Sequence, residues 1–213
     1  SNAVITMEKE GSAGMLGFVN SAVTDASSSL TLTNSGDINI NSKDSAGMMV
    51  TNDSGSVLKG SVKAENTGTI TLSSTITTDN KNIGILANKN ATGINEGTIN
   101  VNTLVSVGML GQKGSDVINK KTITLSGEKG IGMLAKDSDS KATNENTISV
   151  VGKQSSGMLA ESSGKVENKK AIIVTAEKGV GIFISDTGTG TNTSTGTITL
   201  ENTEAVGIFA KNN

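Results

Sequence analysis

Hydrophobic and polar positions along this chain follow two alternating motifs that recur in a fixed order. The first is a period-two segment, clearest in Thr69-Ile70-Thr71-Leu72, Thr122-Ile123-Thr124-Leu125 and Thr197-Ile198-Thr199-Leu200. The second is an apolar box centred on glycine, as in Val107-Gly108-Met109-Leu110, Ile131-Gly132-Met133-Leu134 and Val180-Gly181-Ile182-Phe183. The eight box glycines are Gly14, Gly47, Gly84, Gly108, Gly132, Gly157, Gly181 and Gly207, spaced 33, 37, 24, 24, 25, 24 and 26 residues apart. An Asn or Ser introduces the alternating segment, and in six units it lies 13 residues before the box glycine: Asn34, Asn95, Asn119, Asn144, Asn168 and Ser194. Alternation with β-branched residues between Gly, Asn, Asp and Ser clusters predicts short strands and turns.

A period of a few tens of residues marks a solenoid, whose units bury their cores only against neighbours. About 24 residues is too short for a helix-turn-helix repeat, and no leucine-rich consensus is present. The predicted fold is all-β: a right-handed single-stranded parallel β-helix of about eight coils, with three short strands per coil. Strand one is the Thr-Ile-Thr-Leu type segment and strand two is the box. Strand three precedes the Asn, as at Lys141–Thr143 and Lys165–Glu167. At a rise of about 4.8 Å per coil, the rod is about 40 Å long.

Stacking then predicts side-chain ladders. Ile70, Ile99, Ile123, Ile148, Ile172 and Ile198 form one interior column, and Leu72, Val101, Leu125, Val150, Val174 and Leu200 another. Asn66, Asn95, Asn119, Asn144 and Asn168 stack amide on amide at a corner. Glycines are expected to supply positive φ at turns. In the box, the Val, Met and Ala rows are expected inward and the row Leu110, Leu134, Leu159, Phe183, Phe209 partly exposed. The alternative is a local bend that turns both rows inward.

Composition narrows the function. His, Cys, Arg, Tyr, Trp and Pro are all absent from the 213 residues. That removes a Ser-His-Asp triad, a Cys-His pair, a histidine or thiolate metal site, disulfides and an arginine clamp. A net charge of −2 and 1% aromatic residues give no footprint for nucleic acid. No apolar run is long enough to span a bilayer, so no membrane insertion of this segment is expected. Asp53-Ser54-Gly55 and Asp186-Thr187-Gly188 superficially match aspartic-protease triplets, but they fall on different coils, too far apart to share a proton. Asp137 and Asp139 form a single acidic turn, and the outward Thr69/Thr71, Thr122/Thr124 and Thr197/Thr199 pairs form an interrupted array similar to that of ice-binding β-helices. Neither carries the reading. No catalytic residue, cofactor or metal is expected, and the chain is read as not an enzyme.

Ser1-Asn2-Ala3 reads as an expression-tag scar, residues 4–213 as a single solenoid domain, and the whole as a piece of a longer rod. Extra chain interrupts the regular coil at about 18–30, 51–61 and 73–82. Insertions in solenoids map to surface loops and, there, to binding. Lys59, Lys63, Asp79 and Lys81 are the charged candidates.

Units such as Asn66-Thr67-Gly68-Thr69-Ile70-Thr71-Leu72, and Ser194 to Leu200 followed by Val206-Gly207-Ile208-Phe209-Ala210, resemble the repeats of type V autotransporter passenger domains over roughly residues 11–210. The resemblance implies an extracellular segment displayed on a Gram-negative cell and anchored through an outer-membrane β-barrel absent from this chain. It implies an adhesin or stalk whose partners are host-cell or bacterial surface proteins or glycans. A purely structural spacer and a polysaccharide lyase or hydrolase on the same scaffold are the rival readings. The segment is expected to be monomeric, with end-to-end association of cut ends as the alternative.

Overall fold

A computed structural model describes residues 3–54, 58–73 and 79–212. The first turn of chain comprises β1 (Val4–Met7), β2 (Ala13–Val19) and β3 (Leu30–Asn34). The second comprises β4 (Asp37–Ile40), β5 (Ala46–Asn52) and β6 (Val62–Asn66), and the third β7 (Thr69–Leu72), β8 (Ile83–Asn88) and β9 (Thr92–Asn95). Next come β10 (Thr98–Val101), β11 (Val107–Gln112) and β12 (Asp116–Asn119), then β13 (Thr122–Leu125), β14 (Ile131–Lys136) and β15 (Lys141–Asn144). The regular series continues with β16 (Thr147–Val150), β17 (Ser156–Glu161) and β18 (Lys165–Asn168), then β19 (Ala171–Val174), β20 (Val180–Ser185) and β21 (Thr189–Asn192). It closes with β22 (Thr197–Leu200) and β23 (Val206–Lys211).

Every third strand pairs in parallel, which gives two eight-stranded sheets and one seven-stranded sheet. We call them the alternating sheet (β1 to β22), the box sheet (β2 to β23) and the third sheet (β3 to β21). The chain is a parallel β-solenoid with three strands per coil: seven full turns and two strands of an eighth, against the roughly eight coils expected. Among the described residues there is no helix.

The register stacks like on like. Ile70 pairs with Ile99, Ile99 with Ile123 and Ile123 with Ile148, and the adjacent column runs Leu72, Val101, Leu125, Val150. Both columns are fully buried there. The interior is narrow enough that these two columns meet the Met and Ala columns of the box sheet in one continuous core. One coil orders about 24 residues but buries only a few aliphatic side chains, so stability resides in contacts between coils.

The box resolves differently from its simplest reading. Met48, Ile85, Met109, Met133, Met158 and Ile182 face inward and are fully buried, as are Ala87, Ala135 and Ala160. The Val row is not inward: Val107, Ile131 and Val180 are half-buried on the outer face beside the Leu row. The glycine between them breaks the alternation, since the paired register passes from Val107–Ile131 directly to Met109–Met133. Within the Leu/Phe row, Phe209 is 43% exposed but Leu110 and Leu134 only 9% and 8%, shielded by the adjoining outward rows.

Positive φ at turn glycines is found at Gly11, Gly60 and Gly114, while the box glycines, which lie in strands, are small for another reason. A Cβ on Gly108 would lie 2.6 Å from the carbonyl oxygen of Gly132 and 3.2 Å from Cγ2 of Ile123. Close approach of successive coils, rather than a turn conformation, excludes a side chain there. The left-handed position lies three residues earlier, where Asp44, Lys81, Val105, Lys129, Gln154 and Lys178 all have φ between 50° and 56°.

Candidate functional site

Each corner of the solenoid carries its own column of polar side chains. Between the third and alternating sheets, Asn34, Asn66, Asn95, Asn119, Asn144, Asn168 and Asn192 form an uninterrupted amide ladder, Nδ2 of each donating to Oδ1 of the next at 2.8–2.9 Å. The last rung corrects the sequence reading, in which Ser194 introduced the final unit. Asn192 occupies the ladder, and the turn to Thr197 holds two extra residues, so Asn192 Nδ2 reaches Gly196 O where Asn168 reaches Lys170 O.

A second column, between the alternating and box sheets, went unnoticed in the sequence. The backbone N of Ser12 donates to Ser45 Oγ, that of Ser45 to Asn82 Oδ1, and that of Asn82 to Ser106 Oγ. Its signal is a Ser or Asn two residues before the box glycine, weak because Gly130, Gly179 and Ala205 break it. At the third corner, Ala91 N donates to Ser115 Oγ and Gly114 N to Ser140 Oγ. These columns satisfy buried backbone donors at the bends.

The interruptions are where regularity ends. Those at about 18–30 and 51–61 both leave the box sheet toward the third sheet, after β2 and β5, and there they pack against one another. Leu58, from the second, is buried. With Phe18, Val19, Val23 and Leu30 from the first it lines a pocket of about 360 Å³. The chain has three Phe residues. Phe183 and Phe209 stack at 5.4 Å, whereas Phe18 stands 56% exposed at the pocket.

The four charged candidates divide into two groups. Lys59 is exposed beside Leu58, and its charge acts on Asp116 of β12. Lys63 lies on β6 in the same outward row, with Thr92 between it and Asp116, and Lys141 beyond. Burial pushes the Asp116 carboxyl up, opposed by Lys59 and Lys141. Asp116 is a member of this cluster that sequence reasoning missed.

Lys81 is exposed at the opposite edge of the box sheet, as is Asp79. Lys81 lines a second pocket, of about 280 Å³, with Asp44, Ala13, Ala46, Met49 and Leu86. The hollow exists because the outward Val/Ile row begins with Ala13 and Ala46. Segments 55–57 and 74–78, within two of the predicted loops, lie outside the described residues.

The acidic motifs are not brought together. Asp53 follows β5 and pairs with Lys89 at 2.6 Å, while Asp186 follows β20, five coils along. At about 4.8 Å per coil that is about 24 Å, far beyond a shared proton. Among the described residues no cluster of three or more Asp and Glu could hold a metal ion. No helix among them is long and apolar enough to cross a membrane.

Three parallel sheets wound into one solenoid define the pectate lyase-like class of β-helix. The chain matches the family described as the BigA third pectate lyase-like domain over residues 1–140 and again over 122–213, and it belongs to that family. Two overlapping matches are what an internally repeated chain produces, since a shift by whole coils restores the pattern. Neither a curated protein nor a solved structure matches the chain.

Proposed function

We propose that this chain is a non-enzymatic, surface-displayed adhesin segment that contacts host or bacterial surfaces through loops on a β-helical rod. The observation that carries the reading is the convergence of two insertions on one corner, where they build a pocket around the exposed Phe18. Regular coils need no such pocket for stability. An exposed aromatic on a pocket that Leu58 helps to line, with the exposed Lys59 next to Leu58, has the apolar anchor and polar rim typical of recognition surfaces. Family membership supports the same reading, BigA being an autotransporter-type adhesin. Extracellular display on a bacterial cell follows from it as part of the proposal. The term pectate lyase-like describes the scaffold, and one scaffold hosts many functions.

Glycan arrays and binding of the labelled chain to intact epithelial and bacterial cells test this. Saturable binding is expected, reduced about tenfold or more by Phe18→Ser and by paired Lys59→Glu and Lys63→Glu, without change in the thermal melt. Absence of binding to any cell or glycan would favour a spacer. Cleavage of polygalacturonate or a related polymer would favour the enzyme reading.

A further inference from the structure

We propose that the hollow beside Asp44 and Lys81 is a binding site for a free α-amino acid with an apolar side chain. It lies at the edge of the box sheet opposite Phe18 and stands independently of the adhesin reading. Ala46 of β5 pairs with Ile83 of β8, which puts Asp44 and Lys81, each two residues earlier, at the same corner position of adjacent coils. Both backbones are left-handed there, with φ 53° and 50°. Ala13 in turn pairs with Ala46, so Gly11 holds that position one coil before, and it has no side chain to close the hollow.

The lining divides into an apolar floor and a charged rim. Ala13, Ala46, Met49, Ile83 and Leu86 supply the floor of a space of about 280 Å³, near the small end of ligand pockets. The hydroxyls at the rim are engaged: Ser12 Oγ donates to Lys9 O, and Ser45 Oγ to Lys43 O. The two charges are not. Elsewhere along this corner, charges of neighbouring coils pair, Lys43 with Glu10 at 3.3 Å and Lys153 with Glu177 at 2.6 Å. Asp44 and Lys81 line one pocket, yet among the described residues neither side chain makes an ion pair or a hydrogen bond.

Those two charges select the ligand. A carboxylate and an ammonium on coils about 4.8 Å apart match a ligand that carries the opposite pair close together. An α-amino acid has both groups on one carbon and hangs its side chain from the same atom. Its ammonium meets Asp44, its carboxylate meets Lys81, and an aliphatic side chain of leucine size covers Ala13 and Ala46. A peptide N-terminus offers only the ammonium and a C-terminus only the carboxylate, so either leaves one rim charge unmatched. Both ion pairs face solvent and contribute little each, so the expected Kd is about 1–10 mM.

Titration of the 213-residue chain with leucine, followed by two-dimensional NMR, tests the proposal. Saturating shifts centred on residues 11–13, 44–46 and 81–86 are expected. Asp44→Asn and Lys81→Gln should each weaken binding about three- to fivefold. Asn suits a left-handed position, and Gln154 already occupies the equivalent one in a later coil, so thermal melts should be unchanged. Ala46→Ile puts into the hollow a residue that the same row holds at Ile83 and Ile131, and should weaken binding about tenfold. Leucinamide lacks the carboxylate, N-acetylleucine the ammonium and glycine the side chain; each should bind at least about threefold more weakly than leucine. No saturation below about 50 mM, binding of any of these three as tight as leucine's, or indifference to any of the three substitutions overturns the proposal.

Discussion

Nδ2 of Asn95 donates to Oδ1 of Asn119 at 2.9 Å, and Nδ2 of Asn119 in turn donates to Oδ1 of Asn144 at 2.9 Å. All three side chains are fully buried. The amides thus serve as both donor and acceptor along one corner, a role that an ionised carboxylate, which only accepts, does not reproduce.

Removing a middle rung breaks two of these bonds and leaves buried polar atoms on both neighbours. Asn119→Ala should therefore cost about 3 kcal/mol, from two bonds of about 1 kcal/mol plus the desolvation of an orphaned group. Asn192→Ala, at the exposed last rung, should cost less than half as much. Urea titrations of the two variants measure the difference.

Gly108→Ala is expected to destabilise although its backbone φ is unexceptional. The new Cβ would meet the Gly132 carbonyl of the next coil, and backbone cannot move aside as a flexible side chain can. The cost should be about 2 kcal/mol or more, as for other overpacked sites. Gly60→Ala differs: at φ +83° it meets nothing within 4 Å, so only backbone strain of about 1 kcal/mol is expected. Thermal melts should rank the two accordingly.

Val105 is the β-branched residue among the left-handed corner positions, with φ 50°. Side chains branched at Cβ are disfavoured there, and Asn or Gly is favoured. Val105→Asn should raise stability by about 1 kcal/mol, read as an upward shift of the melting temperature.

Two carboxylates of the third sheet should respond to pH with opposite sign. Asp116 holds its proton more tightly in the folded chain because burial opposes its ionisation. The folded state then binds more protons than the unfolded state, so its contribution falls as pH rises from about 4 through the raised folded value. Asp116→Asn should stabilise the chain at pH 7 and lose that advantage in acid.

Glu167 is shifted down by its hydrogen bond and charge pairing with Lys141 at 2.6 Å, assisted by Lys169. Its contribution is present above about pH 4 and is lost as pH falls through the lowered folded value. Glu167→Gln should destabilise by up to about 1 kcal/mol at pH 7 and approach neutrality at pH 3. Denaturation midpoints of wild type and both variants between pH 3 and pH 7 check the two signs.

The strand order and register were legible because each unit repeats the same pattern at nearly the same spacing. Ile99 over Ile123 and Val101 over Leu125 follow from counting alone. Asn192 was missed because Ser194 preserved the 13-residue spacing while the structure tolerated a two-residue longer turn. The Ser45–Asn82–Ser106 column was missed because serine is common at every turn of this chain. The orientation of the Val row escaped because a glycine bend, invisible to simple alternation, puts Val107 and Leu110 on the same face.

The candidate site was legible only as a set of places where spacing fails. Sequence separation identified about 18–30 and 51–61 as extra chain, and nothing in it said that Leu58 would line one pocket with Val23 and Phe18, or that the charge of Lys59 would act on Asp116. What this sequence determines by itself is the repeat: a translational pattern in which each residue lies over its equivalent, so local chemistry dictates the ladder. What only the tertiary structure decided are relations across unlike positions, such as the meeting of two insertions or the clash of a box-glycine Cβ with the next coil. Those depend on where the backbone bends, and a period-two or 24-residue pattern carries no information about bend angles.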